Sequence, residues 1–221
     1  MIVLLFGPPG CGKGTQSRYI VEHLQIPAIS TGEMLRAACQ SGSPIGRAVV
    51  AILAKGALVG DDIVNQIVIE RLSQSDCANG FLLDGYPRTL AQGVFLHEFF
   101  QQRGLPEPKI IHLDVPSSVL VDRLCARRQC PKCLHIYNVK TQPPKVDGVC
   151  DCDGETLMTR KDDCEETVME RFRTYERLTG PLIGFYRNGD YHRVDGTRAP
   201  DRIWPEIREM LHPALASVEH A

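Results

Sequence analysis

Residues 7–15, Gly7-Pro8-Pro9-Gly10-Cys11-Gly12-Lys13-Gly14-Thr15, follow directly on the apolar run Met1–Phe6 and open a helical pattern running from Lys13 to Leu24. The stretch fits G-x-x-x-x-G-K, in the strand–loop–helix context that a phosphate cradle requires. Glycines let the backbone curl so that several N–H groups point inward, and the helix adds its positive N-terminal end. Lys13 supplies a mobile point charge for the β- and γ-phosphates of a nucleotide. One position departs from the general pattern. Gly14 stands where a Ser or Thr hydroxyl would ligate Mg²⁺, and Thr15 comes one place later. Asp84, ending an apolar strand, is the expected partner of Mg²⁺ among the side chains. The competing reading of Asp84 is a helix or turn cap.

Pro27–Ile29 completes a strand–loop–helix–strand unit, which implies a parallel sheet with a right-handed crossover. Further buried strands are predicted at Phe81–Leu83, ending in Asp84, at Ile110–Val115 and at Tyr191–Val194. Helical patterns separate them, over Asp61–Ser75, Leu90–Arg103, Ser117–Arg128 and Cys164–Tyr186. Alternating helix and strand predict a doubly wound α/β domain with a five-stranded parallel sheet. Two stretches stand apart. Ser30–Val59 is helix-rich and broken at Ser41-Gly42-Ser43-Pro44 and at Gly56, the mark of a small helical insertion. Gln129–Lys161 has no helical period and is dense in Pro, Gly, Cys and Asp, as a compact turn-rich module would be. The division expected is a core of 1–29, 60–125 and 164–221, an insertion at 30–59 and a lid at 126–163.

A formal net charge of −2 gives no electrostatic footing for sequence-independent nucleic-acid binding. No apolar run approaches the roughly 18–20 residues that span a bilayer, and the opening MIVLLFG lacks the basic flank of a signal peptide. The nine cysteines are an odd number, and Cys130, Cys133, Cys150 and Cys152 crowd into one segment. That distribution points to a reducing, cytoplasmic setting and a metal site rather than disulfides. Cys39, Cys77, Cys125 and Cys164 are expected to be small buried hydrophobes.

Beyond the phosphate loop the chain carries STGEMLRAA at 30–38, KGALV at 55–59, LLDGYPRT at 82–89, CARRQC at 125–130, TRKDD at 159–163, EETVMER at 165–171 and VDGT at 194–197. With these motifs in this order, residues 1–213 resemble the adenylate kinases of the long-lid type. The displaced Thr15 resembles the nucleoside monophosphate kinases, which implies Mg²⁺ held largely through waters and phosphates. The resemblance implies transfer of the ATP γ-phosphoryl to AMP, with ATP, AMP and ADP as the bound species. It implies an ATP site at Gly10, Cys11, Gly12, Lys13, Gly14, Thr15, Arg123, Arg127 and Arg198, with Ile136 and Tyr137 covering base or ribose from the lid. It places the acceptor at Thr31, Arg36, the backbone of Ala57, Leu58 and Val59, Gly85, Tyr86, Pro87, Arg88 and Gln92, with Arg160 and Arg171. In that scheme Gln92 and main-chain groups read adenine, while Arg36 and Arg88 hold the α-phosphate. A guanidinium binds phosphate oxygens bidentately, and an amide matches donor and acceptor edges of a purine. Lys13, Arg88, Arg123, Arg127, Arg160 and Arg171 align the groups and neutralise charge, with Asp84 beside them. Asp162 and Asp163 are read as hinge or lid-closing acids, unpaired until closure and lying beside Arg160 and Lys161. Arg128 and Arg173 are left as solvated charges. The phosphate-loop amides and Lys13 are expected to lower the pKa of Cys11 and make it reactive.

Cys130-x-x-Cys133 followed by Cys150-Asp151-Cys152-Asp153-Gly154 is a zinc pattern, two tight turns each offering a pair of ligands. Metal binding would supply folding energy to a module too small to bury a core. The family's spacing puts the fourth ligand at 153, and a second turn like the first, started at Cys150, also brings residue 153 back to the ion. Softness favours the neighbouring Cys152. The expectation is Cys130, Cys133, Cys150 and Asp153, with Cys152 free. Leu134 stands where the family commonly has glycine.

Two other functions compete: a kinase for another monophosphate such as UMP or CMP, and a non-catalytic nucleotide- or nucleic-acid-binding zinc protein. TGEMLR, Gln92 and the zinc-type lid argue against the first, and the full set of arginines against the second. A monomer is expected, with no membrane or nucleic-acid partner. The two insertions should close over AMP and ATP, excluding water.

Overall fold

The structure, a computed structural model, describes residues 1–40, 49, 52 and 57–212. The expected breaks at Ser41-Gly42-Ser43-Pro44 and Gly56, and with them much of the middle of the 30–59 insertion, lie outside the described residues.

Five strands form the core sheet: β1 (Ile2–Phe6), β2 (Ala28–Ser30), β3 (Phe81–Asp84), β4 (Lys109–Asp114) and β7 (Tyr191–Asp195). Their order is β2-β3-β1-β4-β7, and every pairing is parallel. Central β1 reads IVLLF and is buried throughout, as a parallel strand covered on both faces must be. Successive side chains point to opposite faces. Leu4 and Phe6 join the apolar layer that holds Ile29, Leu83, Leu96 and Phe100. Val3 and Leu5 join the layer of Ile20, Leu82, Ile111, Leu120 and Ile207. The registers Ser30↔Asp84, Leu5↔Asp84, Phe6↔His112 and Asp114↔Asp195 bring the carboxyl ends of the strands to one edge. Ligands of open α/β sheets bind at that edge.

The helices are α1 (Lys13–Leu24), α2 (Thr31–Gln40), α3 (Asp61–Leu72), α4 (Leu90–Arg103), α5 (Ser117–Cys125), α6 (Glu165–Thr174), α7 (Gly180–Tyr186) and α8 (Pro200–Leu211). Helix α4 has a textual start and stop in the sequence: Thr89 caps it by accepting from the Gln92 N–H at 3.1 Å, and Gly104 ends it in the left-handed region at φ 61°.

Several boundaries differ from expectation, each for a local reason. The Asp61–Ser75 pattern stops at Leu72, and a short 3₁₀ turn over Ser75–Cys77 follows. The Ser117–Arg128 helix stops at Cys125, because Arg127–Gln129 leaves as strand β5 and pairs antiparallel with β6 (Ile136–Asn138). The Cys164–Tyr186 helix is interrupted by a π-helical segment, Tyr175–Thr179, just before Pro181. Proline brings no N–H to the ladder, and a π-bulge absorbs such a mismatch. Helix α8 was not anticipated, although Ile203, Ile207 and Leu211 recur at helical spacing and are buried. Of the four cysteines expected inside, Cys77 is buried and Cys39 packs half-buried on the core, but Cys125 and Cys164 are exposed because each sits at a helix end.

The lid is held by β5–β6, by reciprocal bonds between Gln129 and Met158 at 2.8 and 2.9 Å, and by a small cluster of Cys130, Tyr137, Cys150 and Leu157. Among the described residues no helix is long and apolar enough to cross a membrane.

Candidate functional site

A cleft of about 670 Å³ opens at the carboxyl edge of the sheet, between the phosphate loop, α2, the β3–α4 loop and the lid. Gly10 and Gly12 hold φ +82° and +106°, and a Cβ at Gly10 would meet Leu124 at 2.8 Å. Only glycine accepts both the conformation and the proximity. Lys13 curls over the loop, its Nζ donating to the carbonyls of Gly7 at 2.6 Å and Pro8 at 3.0 Å. A Cβ at Gly14 would stand 3.3 Å from Cδ1 of the lid residue Ile136. The missing hydroxyl at position 14 therefore has a packing counterpart: the lid rests on that glycine. Ile136 and Tyr137 both line the cleft, but the Tyr137 hydroxyl turns into the lid, accepting from the Asp151 N–H at 2.8 Å.

Arg36, Arg88, Arg123, Arg127, Arg160 and Arg171 come from six different segments and all line this cleft with Lys13 and Asp84. Burial lowers the pKa of Arg88 to about 10, and the neighbouring Arg171 adds to it. Burial among Arg127 and Arg36 lowers that of Arg160 to about 9. Burial also pulls down Arg36 and Arg171. Crowded, partly desolvated guanidiniums favour an incoming polyanion. Three are held by bonds of their own side chains: Arg88 Nε donates to Gly85 O at 2.7 Å, Arg160 Nε to Gln129 Oε1 at 2.5 Å, and Arg123 to the carbonyls of Gly196 and Thr197 at 2.7 and 2.9 Å.

Asp162 and Asp163 correct an expectation. Both are already paired in the structure, and their bonded partners are Arg127 and Arg171, while Arg160 lies close enough to feel their charge. Asp163, its side chain fully buried, takes a two-pronged bond from Arg127 (2.7 and 2.5 Å) and a third from Arg171 at 3.2 Å. Asp162 pairs with Arg171 at 3.0 Å. From the 3₁₀ turn Lys161–Asp163 the Asp163 carboxylate reaches both the lid strand and α6, and that of Asp162 reaches α6. Cys11 is a second correction. It is 1% exposed, and burial pushes its thiol up although Lys13 Nζ lies 3.7 Å away and pulls the other way. Arg173 is exposed as expected, whereas Arg128 is half-buried and donates to the carbonyl of its neighbour Arg127.

On the α2 side, Gly85, Pro87 and Leu58 line the cleft, but Thr31, Tyr86, Gln92, Ala57 and Val59 do not. Thr31 donates to Gly85 O at 2.7 Å, Tyr86 donates to Asn65 Oδ1 at 2.6 Å, Val59 joins the core, and Ala57 is exposed. Gln92 is buried and bonded to Asp61 and to the backbone N–H of Arg88, a residue that lines the cleft. Arg198 also lines the cleft and pairs with Glu206. Sequence reasoning missed Thr174, Tyr175 and Thr179, which line the cleft from the end of α6 and the π-helical segment; Thr179 donates to Arg88 O at 2.8 Å. It also missed Asn138, Thr141 and Gln142 at the lid edge. No residue type marked them out, and only the fold brings them there.

In the lid, the ligand atoms of Cys130, Cys133, Cys150 and Asp153 lie within 4.8 Å of one another. Both turns are in place: the Cys133 N–H points at Cys130 Sγ (3.4 Å), and Gly154 N bonds Cys150 O at 2.9 Å. The Glu155 backbone N–H holds the Asp153 carboxyl down at about 2. Cys152 stands outside the group, its Sγ 3.3 Å from His135 Nδ1. Three thiols and a carboxylate around one point are a donor set suited to a tetrahedral divalent metal. Leu134 passes through φ +62°, a conformation for which glycine is the natural residue.

A family model described as adenylate kinase matches residues 5–191. Curated adenylate kinases are similar over nearly the whole chain. That of Rhizobium rhizogenes is 45% identical over 96% of this chain and 99% of its own. That of Archaeoglobus fulgidus is 44% identical over 96% and 98%, and that of Caldanaerobacter subterraneus subsp. tengcongensis 42% identical over 96% of each. Cleft, arginines and sequence agree, and the chain belongs to the adenylate kinase family.

Proposed function

We propose that this chain transfers the γ-phosphoryl of Mg²⁺-bound ATP reversibly to AMP, giving two ADP. The observation that carries the reading is the convergence of Lys13 and six arginines, from separate segments, on one cleft between phosphate loop and α2. In the forward direction an α-phosphate oxygen of AMP attacks the γ-phosphorus, and the bond from that phosphorus to the β,γ-bridging oxygen breaks. The work left to the protein is alignment and charge neutralisation. Lys13 and the amides of residues 10–15 would hold the donor's phosphates, with Arg123 and Arg127 beside them. Arg36 and Arg88 would hold the acceptor's phosphate, and Arg160 and Arg171 would face the group in flight. Asp84 would help hold Mg²⁺, which would supply positive charge to the donor's phosphates. Gln92 would read the acceptor base.

The lid group of Cys130, Cys133, Cys150 and Asp153 would hold Zn²⁺ as a structural ion, all four positions being filled by protein. Zinc fits better than a hard cation because three of the donors are thiols. We assign the core to 1–29, 60–125 and 164–221, the acceptor-side insertion to 30–59 and the lid to 126–163. A coupled assay of ADP formation from ATP, AMP and Mg²⁺ tests the reaction. Faster turnover with UMP or CMP than with AMP would reassign the acceptor, and no turnover with any monophosphate would remove the activity.

A further inference from the structure

Gln92 is 2% exposed, yet both ends of its amide are engaged. Oε1 accepts from the Arg88 backbone N–H at 2.7 Å, and Nε2 donates to Asp61 Oδ1 at 2.7 Å. The other carboxylate oxygen of Asp61 accepts from the Thr89 hydroxyl at 2.8 Å, and Thr89 in turn accepts the Gln92 N–H at 3.1 Å. A backbone N–H can only donate and an ionised carboxylate can only accept, so these neighbours leave the amide a single orientation. One lone pair on Oε1 and one hydrogen on Nε2 remain for another partner.

We propose that Asp61 sets purine selectivity at the acceptor site by locking the Gln92 amide in the orientation that suits a 6-aminopurine. The proposal rests on the reading above in which Gln92 meets the acceptor base. A 6-aminopurine offers a donor at N6 and an acceptor at N1, matching the oxygen and the hydrogen that Gln92 has left. A 6-oxopurine offers the reverse, an acceptor at O6 and a donor at N1. A free amide serves either by turning over. A pinned one meets the 6-oxopurine with donor against donor and acceptor against acceptor, a mismatch of roughly tenfold to a hundredfold in binding. Asp61 acts through Gln92 and is a positioning residue. As the first residue of α3 it also follows directly on the 57–60 segment, so it joins both walls of the acceptor side.

The test compares kcat/KM for AMP and for IMP, which differs from AMP at the 6-position and in the N1 proton. Asp61→Ala should lower the AMP:IMP ratio about tenfold, through the acceptor's KM, with the KM for ATP unchanged. Asp61→Asn should restore most of the ratio, since its oxygen still accepts from Gln92 while Thr89 accepts from its nitrogen. Asp61→Ser stands in, with the same drop expected, should the alanine variant not fold. A ratio unaltered by Asp61→Ala, or equal losses for both acceptors, would overturn the proposal. Gln92→Leu separates the two levels. If it collapses the ratio while Asp61→Ala does not, Asp61 alone loses its role; if it leaves the ratio intact, Gln92 does not read the base and the proposal falls with it.

Discussion

At the scale of single residues, neighbourhood decides what a side chain can do, and the sequence shows only part of it. Arg88 was marked by its motif, and the structure adds its burial and its clamp on Gly85. Arg88→Ala should lower kcat by about 10²–10³, the range for removing one preorganised group that stabilises developing charge, while circular dichroism and Tm stay near wild type. An unchanged kcat would take Arg88 out of the mechanism. Cys11 shows the opposite case: its motif implied a reactive thiol, but burial outweighs the lysine. Under limiting maleimide, peptide mapping should find the exposed Cys125 and Cys164 labelled well before Cys11; early labelling of Cys11 would contradict its burial. Leu134 is readable in both. Its family position favours glycine, and its φ of +62° gives the reason. Leu134→Gly should relieve strain of about 1 kcal/mol, seen as slower proteolysis within the lid, and faster cleavage would count against it.

At the scale of elements, periodicity carried the reading far. Central strands follow from apolar runs, α1 from its helical spacing after the glycine loop, and α4 from a threonine cap and a glycine stop. What periodicity could not show was where a continuous helical pattern changes pitch or partner. The residues of the π-helical segment have ordinary helical character, and only their packing beside Pro181 makes the ladder slip. The two lid strands are three residues each, too short to display alternation. The second turn of the lid group was readable in sequence, because a turn like the first, started at Cys150, brings residue 153 back beside the thiols. In the structure Asp153 joins the thiols and Cys152 turns to His135. Asp153→Ala should therefore lower bound zinc per chain several-fold and expose the lid to protease, while Cys152→Ser should leave both near wild type. The reverse pattern would make Cys152 the ligand.

At the scale of the whole molecule, parallel topology and the position of the cleft follow from alternating patterns and one glycine loop, because few connections of such elements are allowed. The internal charge balance of the cleft was hidden, since it joins residues far apart in the chain. Asp163 belongs to the turn that leads out of the lid, yet it holds Arg127 of the lid strand and Arg171 of α6 together. Its carboxylate already partners two of the guanidiniums that line the cleft. An arriving nucleotide would meet guanidiniums that already have an anion rather than bare cations. Fewer small ions are then displaced from the cleft than its arginines would imply. The slope of log KM for ATP against log salt should accordingly be shallow, and Asp163→Asn should steepen it; an unchanged slope would mean that the carboxylate and the nucleotide never contend for the same charge.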